Sequence, residues 1–285
     1  MPTNSYAHPE VLVSTQWLAD HLHDDNLRIV EIDMTEETNQ GTHIPGAVFW
    51  STFRDLVNAD FSQNLTPVAI EAVLSRSGIT PETMVVGYGS YPGTGGWLFW
   101  LLRLVGHQNV RVLNGGHRKW MSEGRPVVDE FSRYEATNYP ISQIDDGLRA
   151  FYPQVRSAMD DSAQVLLDVR TAEEYSSECF LMKPPEGDER GGHIPNAIHV
   201  EQLATLNEDG TLKSFDELFD LYASRGVTAD KLVIPYCAIG ARAGYVWFVL
   251  TYLLGYPNVR NYDGSWNEWS RQLEAPVEEG KGTMK

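Results

Sequence analysis

The chain has 285 residues, 42% of them apolar, and a formal charge of −17. That length suits two domains of ordinary size, and that apolar content fills packed cores, which excludes a disordered chain. So acidic a surface repels phosphate backbones and anionic lipid, so it argues against nucleic acid and membranes as partners, and any anion site has to be a local positive spot.

Two cysteines, Cys179 and Cys237, are too few for a disulfide framework and read as reduced thiols of a cytoplasmic protein. The opening residues, MPTNSYAHPEVLVS, carry no basic segment followed by an apolar core, so no signal peptide is expected. In chain order, STQWLADHLHD reads as a helix capped by Ser14, and NLRIVEID as a buried strand. PVAIEAVLSRSG is a helix opened by Pro67, MVVGY a strand, WLFWLLRLVG a buried helix, and VRVLNGG a strand ending in a turn. FSRYEATNYPISQIDDG is polar and without a sustained period, hence linker. The second half continues with the strand VLLDV and the irregular loop SSECFLMKPPEGDERGG. A helix capped by Ser214, the strand LVIPY, the apolar helix around VWFVLTYLLG and VRNYDGS, a strand ending in a turn, follow. Neither apolar helix is long enough to span a bilayer. Alternating strands and helices predict an α/β fold with mostly parallel sheets flanked by helices.

The halves repeat each other. GTHIPGAVFW from Gly41 pairs with GGHIPNAIHV from Gly191, GITPETMVVGYGS from Gly78 with GVTADKLVIPYC from Gly226, and LLRLVGHQNVRVLNGGHRKW from Leu101 with LTYLLGYPNVRNYDGSWNEW from Leu250. The order is conserved and the spacing stays close to 150 residues, the mark of a duplicated domain. Expected boundaries are 9–128 for the first domain, 129–149 for the linker and 150–275 for the second domain.

Chemistry concentrates in LVIPYCAIGARAGYVWF. Cys237 ends a strand, at the sheet edge where open α/β folds bind ligands. Ala238, Ile239, Gly240 and Ala241 then form a tight loop into a helix, with Arg242 at its start. Backbone N–H groups of such a loop, with the positive helix end, cradle an anion and favour a sulfur carrying negative charge. The loop is one residue shorter than that of Cys-dependent phosphatases, which suits a group held around one sulfur atom over a phosphoryl group.

GHIPNA, YCAIGARA and NVRNYDGSWNEW, with THIPGA and NVRVLNGGHRKW in the first half, together resemble rhodanese domains. From about Val11 to Leu273 the chain resembles the tandem-domain sulfurtransferases of the thiosulfate:cyanide type. The resemblance implies an enzyme that needs no metal or organic cofactor, with Cys237 as nucleophile. Cys237 would take sulfane sulfur from a small donor as a persulfide and pass it to a thiophilic acceptor, cyanide or a thiol, including a thiol protein. It implies backbone stabilisation of the persulfide by Ala238, Ile239, Gly240 and Ala241. Arg242 either holds the donor's sulfonate or pairs with a carboxylate to fix the loop. Arg190, just before the second HIP turn, stands where the family places a substrate-binding arginine.

The first half is expected to be inactive, with Ser90 in the slot of Cys237. Ala238 and Ile239 stand where thiosulfate-using relatives carry basic residues. Ile239 also stands where mercaptopyruvate-using relatives carry a serine that works with partners resembling His43 and Asp33. Thiosulfate is therefore the expected donor; a mercaptopyruvate sulfurtransferase and a non-enzymatic persulfide carrier are the alternatives. Other residues have structural readings: His43 and His193 as turn histidines bonding backbone, Asp168 and Arg170 bonding each other, and Trp247, Trp266 and Trp269 as core. Cys179 reads as an incidental thiol, or else as a resolving cysteine. A monomer is expected, because the duplication already supplies a domain pair.

Overall fold

The computed structural model describes residues 5–180 and 183–280. The chain divides into two compact units. One comprises His8–Asp145 together with Leu206–Lys213; the other comprises Asp146–Thr205 and the residues from Ser214 on, with the N-terminal residues up to Ala7.

The first unit holds a five-stranded parallel sheet of β1 (Leu12–Val13), β2 (Leu27–Asp33), β3 (Ala47–Ser51), β4 (Met84–Tyr88) and β5 (Val110–Leu113), in the order β1-β5-β4-β2-β3. Its helices are α1 (Thr15–His21), α2 (Pro67–Arg76), α3 (Thr94–Leu104) and α4 (Gly116–Ser122). Ser14 caps α1 by accepting the Trp17 amide, and Thr66 caps α2 by accepting that of Ala69. Trp50, Trp97, Trp100 and Trp120 fill the interior. The stretch read as linker lies along this unit. Phe131 stacks on His43, Arg28 sits 3.8 Å over the Tyr134 ring, and the Thr137 amide donates to Ser75.

The second unit contains α5 (Tyr152–Ala158), β6 (Gln164–Asp168), α6 (Ala172–Tyr175), β7 (Ile198–His199), α7 (Phe215–Ala223), β8 (Leu232–Tyr236), α8 (Ala241–Phe248) and α9 (Ser265–Trp269). Its parallel sheet runs β7-β6-β8. The VRNYD segment, expected as a strand, is reduced to the bridges Val233↔Val259 and Arg149↔Asn261. Pro235 supplies the reason. Val233 exchanges bonds with Asn258 and Arg260, and Tyr262 N donates to Pro235 O, but Pro235 has no N–H to return. Gly106 follows Gly93 by 13 positions, whereas Gly255 follows Gly240 by 15. The second half absorbs the two extra residues by widening the end of α8 into a π turn, Val249–Leu253.

Strand register gives an exact correspondence between the halves. Glu31 lies opposite Tyr88, as Asp168 lies opposite Tyr236, and each tyrosine hydroxyl accepts the amide of the HIP isoleucine, Ile44 or Ile194, at 3.1 Å. Two residues beyond the carboxylate, the second half has Arg170 and the first has Asp33. Arg170 and Asp168 are both buried and pair through bonds of 2.6–3.1 Å; Arg170 also donates to Gly192 O at 2.7 Å and lies over the Trp266 ring. This agrees with their structural reading. His193 likewise contacts the Tyr175 carbonyl, at 2.9 Å. His43 departs from it: its Nδ1 lies 3.1 Å from the Glu31 carboxylate, because the first half has no arginine where Arg170 stands. Replacing Arg170 by Met should strand Asp168 as an unpaired buried charge and lower stability by roughly 3–5 kcal/mol in urea unfolding followed by tryptophan fluorescence.

Candidate active site

Cys237 follows β8 directly and is 1% exposed. Gly240, at φ +87°, turns the loop into α8 and donates its amide to the Cys237 sulfur at 3.1 Å. Any residue with a Cβ would strain that left-handed turn. Ala238 is buried, while Ile239 and Ala241 are half-buried on either side of Gly240. The loop's carbonyls are held by the segment around α9: Cys237 O accepts from Trp266 N and Ala238 O from Asn267 N, both at 2.9 Å, and Gly240 O accepts from Asn261 Nδ2 at 3.1 Å. With those carbonyls turned away, the Gly240 amide faces the sulfur, where the positive end of α8 adds to it.

Ser265 was not singled out by the sequence reading. Its hydroxyl accepts the Cys237 amide at 3.0 Å, donates to Tyr262 O at 2.7 Å and lies 4.0 Å from the sulfur. It sits at φ +50°, a conformation uncomfortable for a side-chain-bearing residue; its counterpart in the first half, at φ +55°, is Gly116. That Gly-to-Ser difference between the repeats was the available signal. Holding a hydroxyl under the cysteine is the physical return for the strain.

Arg242 points its two terminal nitrogens at the two oxygens of Glu174, each at 2.7 Å. Of the two roles open to it, the structure displays the carboxylate pair. Glu174 also closes a capping box with Thr171, accepting its amide at 3.0 Å while the Thr171 hydroxyl accepts the Glu174 amide. Thr171-x-x-Glu174 was legible as a helix start; its reach to Arg242 was not. Burial by itself lifts the Glu174 carboxyl, but hydrogen bonds and charge from Arg242, with the Thr171 amide, hold it below the ordinary carboxylate value. Arg190 donates to Gln272 O at 2.9 Å and Ala275 O at 2.6 Å, and its own carbonyl accepts from Trp266 Nε1. It joins the loop through Trp266. Cys179 is half-buried, its amide bonded to Glu173 O.

The first half corrects the expected alignment. The residue after Tyr88, in the place of Cys237, is Gly89 and not Ser90. The loop from Tyr88 to Gly93 is one residue longer than that from Tyr236 to Gly240. A Cβ at Gly89 would collide with the Thr94 hydroxyl and the Ile32 carbonyl, so no thiol fits there. Ser90 donates both its amide, at 3.0 Å, and its hydroxyl to Asp33. The protein's own carboxylate thus occupies the loop's donors. His43 sits against Glu31, which also accepts the Tyr88 hydroxyl, and burial pushes the His43 imidazole below its ordinary value.

Two outcomes follow. Because Gly relieves the φ +50° strain, Ser265→Gly should be more stable than Ser265→Ala by roughly 1–2 kcal/mol in denaturant melts, while both slow alkylation of Cys237. Glu174 has a lowered folded value, so its stabilisation is full above the unfolded carboxyl value and is lost as pH falls through the folded one. The stability gap between wild type and Glu174→Gln should therefore be present at pH 7 and close as pH falls below the ordinary carboxylate value.

Comparison with known proteins gives the family. The model of the rhodanese-like domain matches twice, at residues 14–123 and 152–272. The sulfur carrier protein TtuD of Thermus thermophilus is 40% identical over 97% of this chain and 99% of its own. A Haloferax volcanii protein that carries the provisional name thiosulfate sulfurtransferase is 39% identical over 98% of this chain and 100% of its own. Among solved structures, a point variant of EanB with ergothioneine superposes with a TM-score of 0.86 at 25% identity, covering 99% of this chain and 72% of that one. The anaerobic ergothioneine biosynthesis enzyme of Chlorobium limicola shares the fold, with a TM-score of 0.85 at 24% identity over 99% of this chain and 73% of that one. With two rhodanese-like domains in tandem and relatives that match along nearly its whole length, the chain belongs to the tandem rhodanese sulfurtransferase family.

Proposed function

We propose that the protein moves sulfane sulfur from thiosulfate to a thiophilic acceptor such as cyanide through a persulfide on Cys237. The observation that carries this reading is the Gly240 amide donated to the Cys237 sulfur at the start of α8. A backbone donor aimed at sulfur stabilises negative charge there, both on the attacking thiolate and on the terminal sulfur of a persulfide. The Cys237 thiolate attacks the outer sulfur of thiosulfate. The S–S bond of the donor breaks, and sulfite leaves with the electron pair. Cyanide or a thiolate then attacks the outer sulfur of the persulfide, taking it as thiocyanate or a new persulfide and restoring the Cys237 thiolate.

Mercaptopyruvate is the weaker choice of donor. Ile239 has no hydroxyl, and Asp33 and His43 are engaged by Ser90 and Glu31. A sulfur carrier that loads once and delivers to a protein thiol is the second reading, favoured by the Thermus relative's name and by the pairing of Arg242 with Glu174. Incubation with excess thiosulfate should add one sulfur atom to the intact mass, absent in Cys237→Ser, and cyanide should remove it. Turnover over many cycles identifies the transferase, and a single loading with slow release the carrier. No added mass overturns thiosulfate as donor.

A further inference from the structure

Within the loop and cap from Cys237 to Arg242, Arg242 is the one charged side chain. Its backbone follows Gly240, the donor to the sulfur, by two residues, which limits their Cα separation to about 7 Å. A free guanidinium there would give the site a unit positive charge and a strong preference for anionic donors. Glu174 cancels it. The pair is bidentate, with both contacts at 2.7 Å, and the Glu174 side chain is 5% exposed against 17% for Arg242. Thr171 fixes the carboxylate from behind through its amide. Arg170, a buried cation just past β6, is likewise paired, with Asp168. Fixed backbone dipoles are then what favours negative charge at the sulfur, and they act on a thiolate and a persulfide alike.

We propose that Glu174 is a specificity-determining residue, which by neutralising Arg242 moderates the preference of the Cys237 site for dianions, so that donors and acceptors of low net charge, such as organic persulfides and thiols, are admitted beside thiosulfate. This rests on the reading of Cys237 as the nucleophile, but not on thiosulfate as the donor. Its prediction follows the charge of the pair. That charge is zero in wild type, positive in Glu174→Gln, negative in Arg242→Met and zero again in the double variant. The readout is the ratio of alkylation rates of Cys237 by iodoacetate, an anion, and iodoacetamide, its neutral analogue, followed on the Cys237 peptide by mass spectrometry. A ratio cancels changes in exposure and nucleophilicity that a loosened loop would cause.

Glu174→Gln should raise the ratio about fivefold, the order that one nearby unit charge gives in a partly hydrated site. Arg242→Met should lower it by a similar factor, and the double variant should return to the wild-type value. KM for thiosulfate, where turnover is measurable, should move in the opposite sense to the ratio. Glu174→Asp, which keeps the charge, is the folding-safe control and should leave the ratio near wild type. Ratios that stay level across folded variants, or that fall in Glu174→Gln, overturn the proposal and leave the nucleophile reading intact. A Cys237 inert to both reagents overturns the nucleophile reading, and this proposal with it.

Discussion

A buried sulfur at a strand end needs a polar partner if it is not to sit in an apolar hole. Here the answer is one left-handed glycine. Gly240 reverses the chain so that its amide faces the Cys237 sulfur while its carbonyl turns away to Asn261. Everything else near the loop can be understood as holding that reversal. The α9 amides take the outward carbonyls, Ser265 takes the Cys237 amide, and Glu174 ties down the first turn of α8 through Arg242. A buried polar group is tolerated only when it is bonded, so the site and its support are one hydrogen-bonded network.

The first half shows the same frame with the opposite electrostatics. In register with Arg170 it has Asp33, and that carboxylate sits on the Ser90 amide and hydroxyl. An anion already in place leaves the loop no purpose as an anion cradle. Gly89, closed in by Thr94 and Ile32, leaves no room for a nucleophile. The two features are independent, so a cysteine placed at Gly89 would still meet the Asp33 carboxylate on the loop. The buried Glu31 has His43 and Tyr88 as partners in place of an arginine, an arrangement with less charge to balance it.

Periodicity and repetition made the architecture legible before any coordinates. Two α/β units, their parallel strands and the Cys237 loop followed from patterns that local physics imposes on sequence. What stayed hidden were contacts between residues distant along the chain. Nothing in TAEEY says that Glu174 reaches Arg242, and nothing near Arg190 says that its side chain reaches the carbonyls of Gln272 and Ala275. The alignment of Ser90 with Cys237 failed for a related reason: a one-residue change in loop length is invisible until strand register fixes where the strand ends. Pro235 was readable in principle, since a proline within a strand has no N–H to give and so announces a missing ladder bond on one side.

The grouping of Leu206–Lys213 with the first unit bears on whether the duplicated halves remain separable modules. This eight-residue stretch belongs to the second half by sequence, yet Leu212 donates its amide to Asn114 at 2.9 Å and Asp209 accepts from Lys119 at 2.8 Å. A chain cut at the linker would carry that stretch away from the residues it bonds, taking the Leu212 amide from Asn114 and leaving Lys119 with Glu123 alone. The repeat is therefore a repeat of sequence more than of separable parts: the first unit is completed by eight residues that the chain supplies from its second half.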